Sequence, residues 1–185
     1  AGVEPALAIS YSSRAGNGLF GVGFSLEGLS SITRCPSTIA QDGSMRAVRL
    51  DDADQLCWDG SRLMPSSDFC PGGGVAYRTE IDSFARICRS GPLTGNNTSF
   101  TISTKDGWTL HYGSTPDGRQ ARNTVSVDGI THTFSWPVLR RQDSRGHAID
   151  YQYTSHGTNV GQLLIDRVDY TLFRGSISEG PTRYV

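Results

Sequence analysis

The run Gly16-Asn17-Gly18-Leu19-Phe20-Gly21 has the spacing G-x-G-x-x-G and follows LAISYSS, a strand-like stretch. Such a pattern can cradle a pyrophosphate, because its glycines let backbone N–H groups approach the phosphates at the start of a helix. That chemistry needs the helix, and the sequence predicts none. The continuation GVGFSLEGLSSITRCP carries Gly23, Gly28 and Pro36. In a helix interior glycine costs about 1 kcal/mol relative to alanine, and proline about 3. Phe20, Val22, Phe24 and Leu26 instead alternate with small or polar residues, the period of a half-buried strand. A kinase glycine loop does sit on strands, but no H-R-D or D-F-G follows. Gly16, Gly18 and Gly21 are therefore expected to shape a turn between strands, with no cofactor.

The other chemical candidates are sparser. Arg78, Glu80 and Asp82 in YRTEIDSF share a face if the segment is extended. Two carboxylates so placed could do acid–base work, including glycoside hydrolysis, but alternating arginine and acid along a strand more simply makes cross-strand ion pairs. Asp51, Asp52 and Asp54 could hold calcium, yet the EF-hand spacing is absent, which favours an acidic turn. His111, His132, His147 and His156 are scattered, without H-E-x-x-H or H-x-H spacing, so no metal site is expected. Ser25 lies in GFSLEG, which is not the G-x-S-x-G of a nucleophile elbow. No catalytic residue is assigned.

Cys35, Cys57, Cys70 and Cys88 form no C-x-x-C pair, which argues against a zinc ribbon or a redox motif. Four cysteines allow three pairings, and spacing does not choose among them. Cys35–Cys57 and Cys70–Cys88 are the expected pairs, since each would tie neighbouring strands across a short loop; the alternative is four buried thiols.

The elements that must position these residues are short. The chain has 185 residues, 36% of them hydrophobic, and 22 glycines, a size and composition that fit one turn-rich domain, 1–185. The net charge of −1 gives no electrostatic footprint for nucleic acid, and no stretch approaches a membrane span. Asp-Gly recurs at Asp42-Gly43, Asp59-Gly60, Asp106-Gly107, Asp117-Gly118 and Asp128-Gly129, and this dipeptide suits tight hairpin turns. Phe100 and Ile102 before one such turn, and Trp108, Leu110 and Tyr112 after it, keep a period of two. Ile130, His132, Phe134 and Trp136 are expected on one face, and Ile149, Tyr151 and Tyr153 on another. NVGQLLIDRVDYTLF reads as a strand, and SGPLTGNNTS as a flexible polar loop. The prediction is all-β: consecutive antiparallel hairpins forming a sheet or a sandwich-like module.

The opening LAISYSSRAGNGLFGVGFSLEGLSSITRCPSTIAQDG resembles that of the Salmonella virulence plasmid protein B family, shared with the B components of insecticidal toxin complexes. The resemblance is carried by Tyr11-Ser12-Ser13, Gly16-Asn17-Gly18, Gly21, Gly23, Leu26, Gly28-Leu29-Ser30, Ile32, Arg34-Cys35, Thr38, Ala40 and Asp42-Gly43, with Phe24 where tryptophan is common. LDDADQLCWDGSRL, YRTEIDSFARI, TKDGWTLHYG and DSRGHAIDYQY resemble later family segments, the last in the rhythm of YD repeats with His147 at a frequent asparagine position. The resemblance implies a β-rich module of a larger secreted protein, part of a β shell enclosing a cytotoxic cargo. Its implied partners are the remaining domains of that protein or other toxin subunits. The ADP-ribosyltransferase activity of some members belongs to a separate domain, so no catalytic residues carry over.

Two functions follow as expectations. One is a non-catalytic structural module, which could self-associate through exposed strand edges. The other is a small secreted domain that binds carbohydrate or a cell surface, for which Trp58 or Trp108 would have to stand exposed in a groove.

Overall fold

In a computed structural model of the chain, residues 3–14, 17–18, 21–95, 97–155, 163–173 and 183–185 are described. The first half holds β1 (Ala8–Tyr11), β2 (Asn17–Gly18), β3 (Gly21–Val22), β4 (Phe24–Glu27), β5 (Ser31–Cys35), the helix α1 (Ile39–Asp42), β6 (Gln55–Trp58), β7 (Ser61–Ser66), β8 (Val75–Thr79) and β9 (Arg86–Ser90). The second half holds β10 (Ser99–Ser103), β11 (Thr109–Tyr112), β12 (Asn123–Val127), β13 (Ile130–Gln142), β14 (His147–Ser155), β15 (Leu163–Phe173) and β16 (Arg183–Tyr184). The pairings among these strands are antiparallel.

The strands from β5 to β11 pair in a meander apart from the helical connection between β5 and β6, and β13 closes the ring by pairing with both β5 and β11. The result is a barrel rather than a sandwich. Closure lets every inward side chain meet another: Ile32, Ile87 and Ile102 are fully buried with Phe100, Tyr112 and Trp136. The Phe100 and Trp136 rings meet edge to face at 5.1 Å. From β13 the sheet runs on through β14, β15 and β16 as an open extension.

Turn chemistry sets the registers. Asp59 and Gly60 have φ of 47° and 81°, and Asp128 and Gly129 have 51° and 77°, the left-handed pair of a two-residue hairpin turn. Asp106-Gly107 and Asp117-Gly118 use another device. Gly107 N–H donates to the Thr104 carbonyl and Gly118 N–H to that of Thr115, while the Thr104 and Thr115 hydroxyls accept from Trp108 and Arg119 N–H. Asp143 repeats this in Asp143–Gly146, its carboxylate accepting from His147 N–H at 2.8 Å. Asp42-Gly43 is no hairpin: Thr38 caps α1 and Gly43, at φ 69°, ends it.

β13 departs from the expected face. Trp136 is buried, but Ile130 is 61% exposed while Thr133 and Ser135 are buried. The first half of β13 pairs with β12, and β5 joins only at Ser135–Pro137, so Ile130 lies outside the ring. The loop after β9 is also pinned, at Leu93, Thr94 and Thr98. Leu93 and Thr98 are buried, and Asp52 accepts from the Thr94 N–H and hydroxyl.

Candidate functional site

The glycine-rich run makes strand contacts. Asn17-Gly18 pairs with Gly21-Val22, and β4 and β5 follow where a phosphate-binding helix would have to begin; Gly16 lies outside the described residues. Gly23, at φ 83° just before β4, packs against the end of β1: a Cβ there would come within 2.6 Å of the Tyr11 ring and 2.9 Å of the Ser12 carbonyl. Gly23 thus answers to backbone approach between strands.

The carboxylates of YRTEIDSF separate. β8 ends at Thr79, so Arg78 stays in the strand while Glu80 and Asp82 lie beyond it with different hydrogen-bond partners. Arg78 donates through Nε to Asp68 at 2.6 Å, Glu80 accepts from Gln41 at 2.5 Å, and Asp82 accepts from Phe84 N–H at 2.8 Å. The Arg78 hydrogen bond and that of Ser66 hold the Asp68 carboxyl down to about 2. In place of the expected cross-strand ladder, Arg78 pairs with Asp68 in the loop after β7 and stands 3.8 Å from Asp82.

The acidic knot is filled by guanidinium groups. Asp54, its side chain 1% exposed, receives Arg34 at 2.9 Å and Arg46 at 3.3 Å, together with Arg49 and Leu50 N–H. Arg34 also donates to the carbonyls of Thr133, Asp51 and Leu93. It thereby joins β5, β13 and two loops through one buried side chain. These bonds occupy the oxygens of Asp54 that a cation would use. Among the described residues, no group of three or more His, Cys, Asp or Glu is placed to share a metal.

A second charged cluster went unread in the sequence. Arg140 grips Asp150 in a fork, Nε–Oδ1 2.6 Å and Nη2–Oδ2 3.0 Å, and reaches Asp117 at 2.8 Å. Arg119 approaches Asp150 at 2.8 Å. The signal was available: Arg140 and Asp150 are register partners across the Asp143–Gly146 turn. Burial opposes ionisation of Asp117, but the Thr115 and Arg140 hydrogen bonds outweigh it and keep its carboxyl well below the usual range. His111 borders the cluster, and burial together with Arg140 pushes its imidazole down, towards the neutral form. The cluster therefore offers an ionised carboxylate gripped by arginine rather than an acid–base pair poised near neutrality. It clamps the 113–122 connection to the barrel.

The remaining histidines and the serine do not converge on it. His147 Nδ1 meets Asp143 at 2.9 Å, and His132 lies in the β12–β13 ribbon. His156 is outside the described residues. Ser25 Oγ bonds Ser10 Oγ at 2.8 Å. Both candidate tryptophan platforms are engaged internally. Trp58 Nε1 donates to Tyr112 OH at 2.9 Å and to Ser30 Oγ at 3.0 Å; Trp108 carries the Arg141 guanidinium 4.1 Å above its ring.

The cysteines pair as Cys35–Cys57 and Cys70–Cys88, with Cα separations of 5.9 and 5.6 Å. The first bridge joins β5 to β6, and the second ties the loop after β7 to β9. No helix among the described residues is long and apolar enough to cross a membrane.

Residues 1–42 match the family model described as Salmonella virulence plasmid 65kDa B protein. Curated protein sequences give no match. The N-terminal domain of effector protein SpvB from Salmonella typhimurium strain LT2 is similar in structure, with TM-score 0.68 and 21% identity over 90% of this chain and 58% of that one. A TcdB2-TccC3-Cdc42 crystal structure has TM-score 0.68 and 24% identity over 90% of this chain and 9% of its own. A Photorhabdus luminescens Tc holotoxin pore with altered TccC3 has TM-score 0.65 and 22% identity over 90% of this chain and 8% of its own. The chain thus spans little over half of the SpvB structure and under a tenth of the toxin chains. Its opening carries the sequence pattern of the Salmonella virulence plasmid B family, and its fold is the barrel that these structures share.

Proposed function

We propose that this chain is a non-catalytic structural module of a secreted, toxin-associated protein, contributing strands to a shell that encloses or presents a cytotoxic cargo. The observation that carries the reading is the shared fold: nine-tenths of the chain matches both SpvB and TcdB2-TccC3 structures. The site chemistry agrees with it, because the most buried carboxylates, Asp54 and Asp150, are gripped by arginines that fasten loops to the barrel. Two disulfides suit export to an oxidising compartment. The partners of such a module are other domains of its parent or other toxin subunits. A carbohydrate- or cell-surface-binding role is the weaker reading, since Trp58 and Trp108 are spent on internal contacts.

The test is substitution of Glu80, Asp82 and His111 by alanine, with Asp117→Asn, in the natural full-length protein. Hydrolase and ADP-ribosyltransferase turnover are then measured alongside circular dichroism. Unchanged turnover is expected. Loss of turnover in a folded variant overturns the structural reading.

A further inference from the structure

The hairpin β1–β4 is amphipathic, and its apolar side is left largely exposed. The register pairs Ile9 with Leu26 and Tyr11 with Phe24, so alternation puts all four on one face. Ala8, Ser10, Ser25 and Glu27 fall on the other face. Ile9 is 61% exposed, Tyr11 64% and Phe24 40%, and the Tyr11 and Phe24 rings pack together at 5.0 Å. A two-stranded ribbon is at best marginally stable alone, and an apolar patch rimmed by polar residues marks an interaction surface.

The same face opens into a groove of about 310 Å³ between the hairpin and the sheet extension. Leu7, Ile9 and Leu26 form one wall, and Ile165, Val168 and Val185 the other. Among its described lining residues the charged one is Asp166. The size is at the bottom of the ~300–1,000 Å³ range of small-molecule sites, and the described lining holds no convergent polar groups to orient a small ligand. Apolar side chains of a polypeptide fit it better.

We propose that this face and groove seat a further extended segment of the longer polypeptide in which this fold occurs, presenting apolar side chains at alternate positions. The proposal rests on the structural-module reading and names the junction. Two observations favour that occupant. The fold makes up 58% of the SpvB structure and 8–9% of the toxin chains, so in each of these it sits beside more polypeptide. The groove is also continuous with a strand junction already made within the chain: Val185, in its wall, exchanges both backbone hydrogen bonds with Val168 of β15. Any residues continuing past Val185 in that register are led into the groove.

The test uses thiol labelling, for which the chain is suited because its described residues include no free cysteine. Ile9→Cys and Tyr11→Cys are made in the 185-residue chain and in the natural full-length protein, with Ser10→Cys on the opposite face as the reference. A fluorescent maleimide is the probe, and circular dichroism verifies folding. All three positions should react readily in the 185-residue chain. In the full-length protein, positions 9 and 11 should slow at least tenfold while position 10 does not. Equal rates in the two proteins overturn the junction and leave the turnover test of the module reading untouched. Protection in the 185-residue chain that grows with its concentration would assign the face to a second copy, and overturns the proposal as well.

Discussion

The barrel and the β1–β4 hairpin are both written with apolar residues at alternate positions, yet they end in opposite surroundings. Phe100 and Ile102 in β10 are 1% and 0% exposed; Ile9 and Tyr11 in β1 are 61% and 64% exposed. The difference is closure. Around the ring each inward side chain faces others across the interior, and β13 supplies the last pairing. The hairpin is a separate two-stranded sheet outside the ring. Alternation therefore states which residues share a face, while the number of layers decides whether that face is dry.

The sharpest way to break this comparison is Trp136→Ala. Trp136 is wholly buried against Phe100, and its loss should cost about 3–5 kcal/mol in urea unfolding. A cost under about 1 kcal/mol would mean that the ring is not the stable core. Next is Arg34→Ala, which removes the partner of a carboxylate that is 1% exposed. The expected loss is about 3 kcal/mol, the low end for breaking a buried pair, because Arg46 and two backbone N–H groups still reach Asp54. Opening the Cys35–Cys57 bridge by paired serine substitution frees a loop with a sequence separation of 22. It should lower stability by about 3 kcal/mol and speed proteolysis between β5 and β6.

Acid should sharpen the contrast from another side. His111 has a lowered folded pKa, so its contribution is complete above its unfolded value of about 6.5 and declines as pH falls below it. Asp68 and Asp117 are lowered too; their stabilisation holds above about pH 4 and is lost as pH falls towards their folded values. Melting temperature followed from pH 7 to pH 3 should therefore fall in two stages. His111→Asn should remove the upper stage alone. The smallest effect belongs to the hairpin: Ile9→Ala should shift urea unfolding by no more than about 0.5 kcal/mol. A larger shift would show that this exposed face already has a cover in the isolated chain.

Several features were legible because they are local. Asp59-Gly60 and Asp128-Gly129 require left-handed backbone at both positions, and they turn hairpins at those places. The paired strands flanking Asp106-Gly107 follow their period of two. Asp42-Gly43 misled for an equally local reason: Thr38, three residues before Gln41, makes the dipeptide the end of a helix turn. The charged sites were read less well. Asp54 reads in the sequence only as part of an acidic turn, because its partners Arg34 and Arg46 lie outside the acidic run, brought in from β5 and the connection after it.

What the sequence determined by itself was the all-β character, the positions of most turns, and a family pattern over its opening residues, since backbone φ preferences and side-chain alternation act between near neighbours. Tertiary structure alone decided that the meander closes into a barrel, that Ile130 and Ile9 stay outside it, and that two carboxylates are buried under arginines. Those outcomes depend on β13 meeting β5 and β11 at once. Contacts across such distances in the chain are set by which surfaces remain to be covered once the local hairpins have formed.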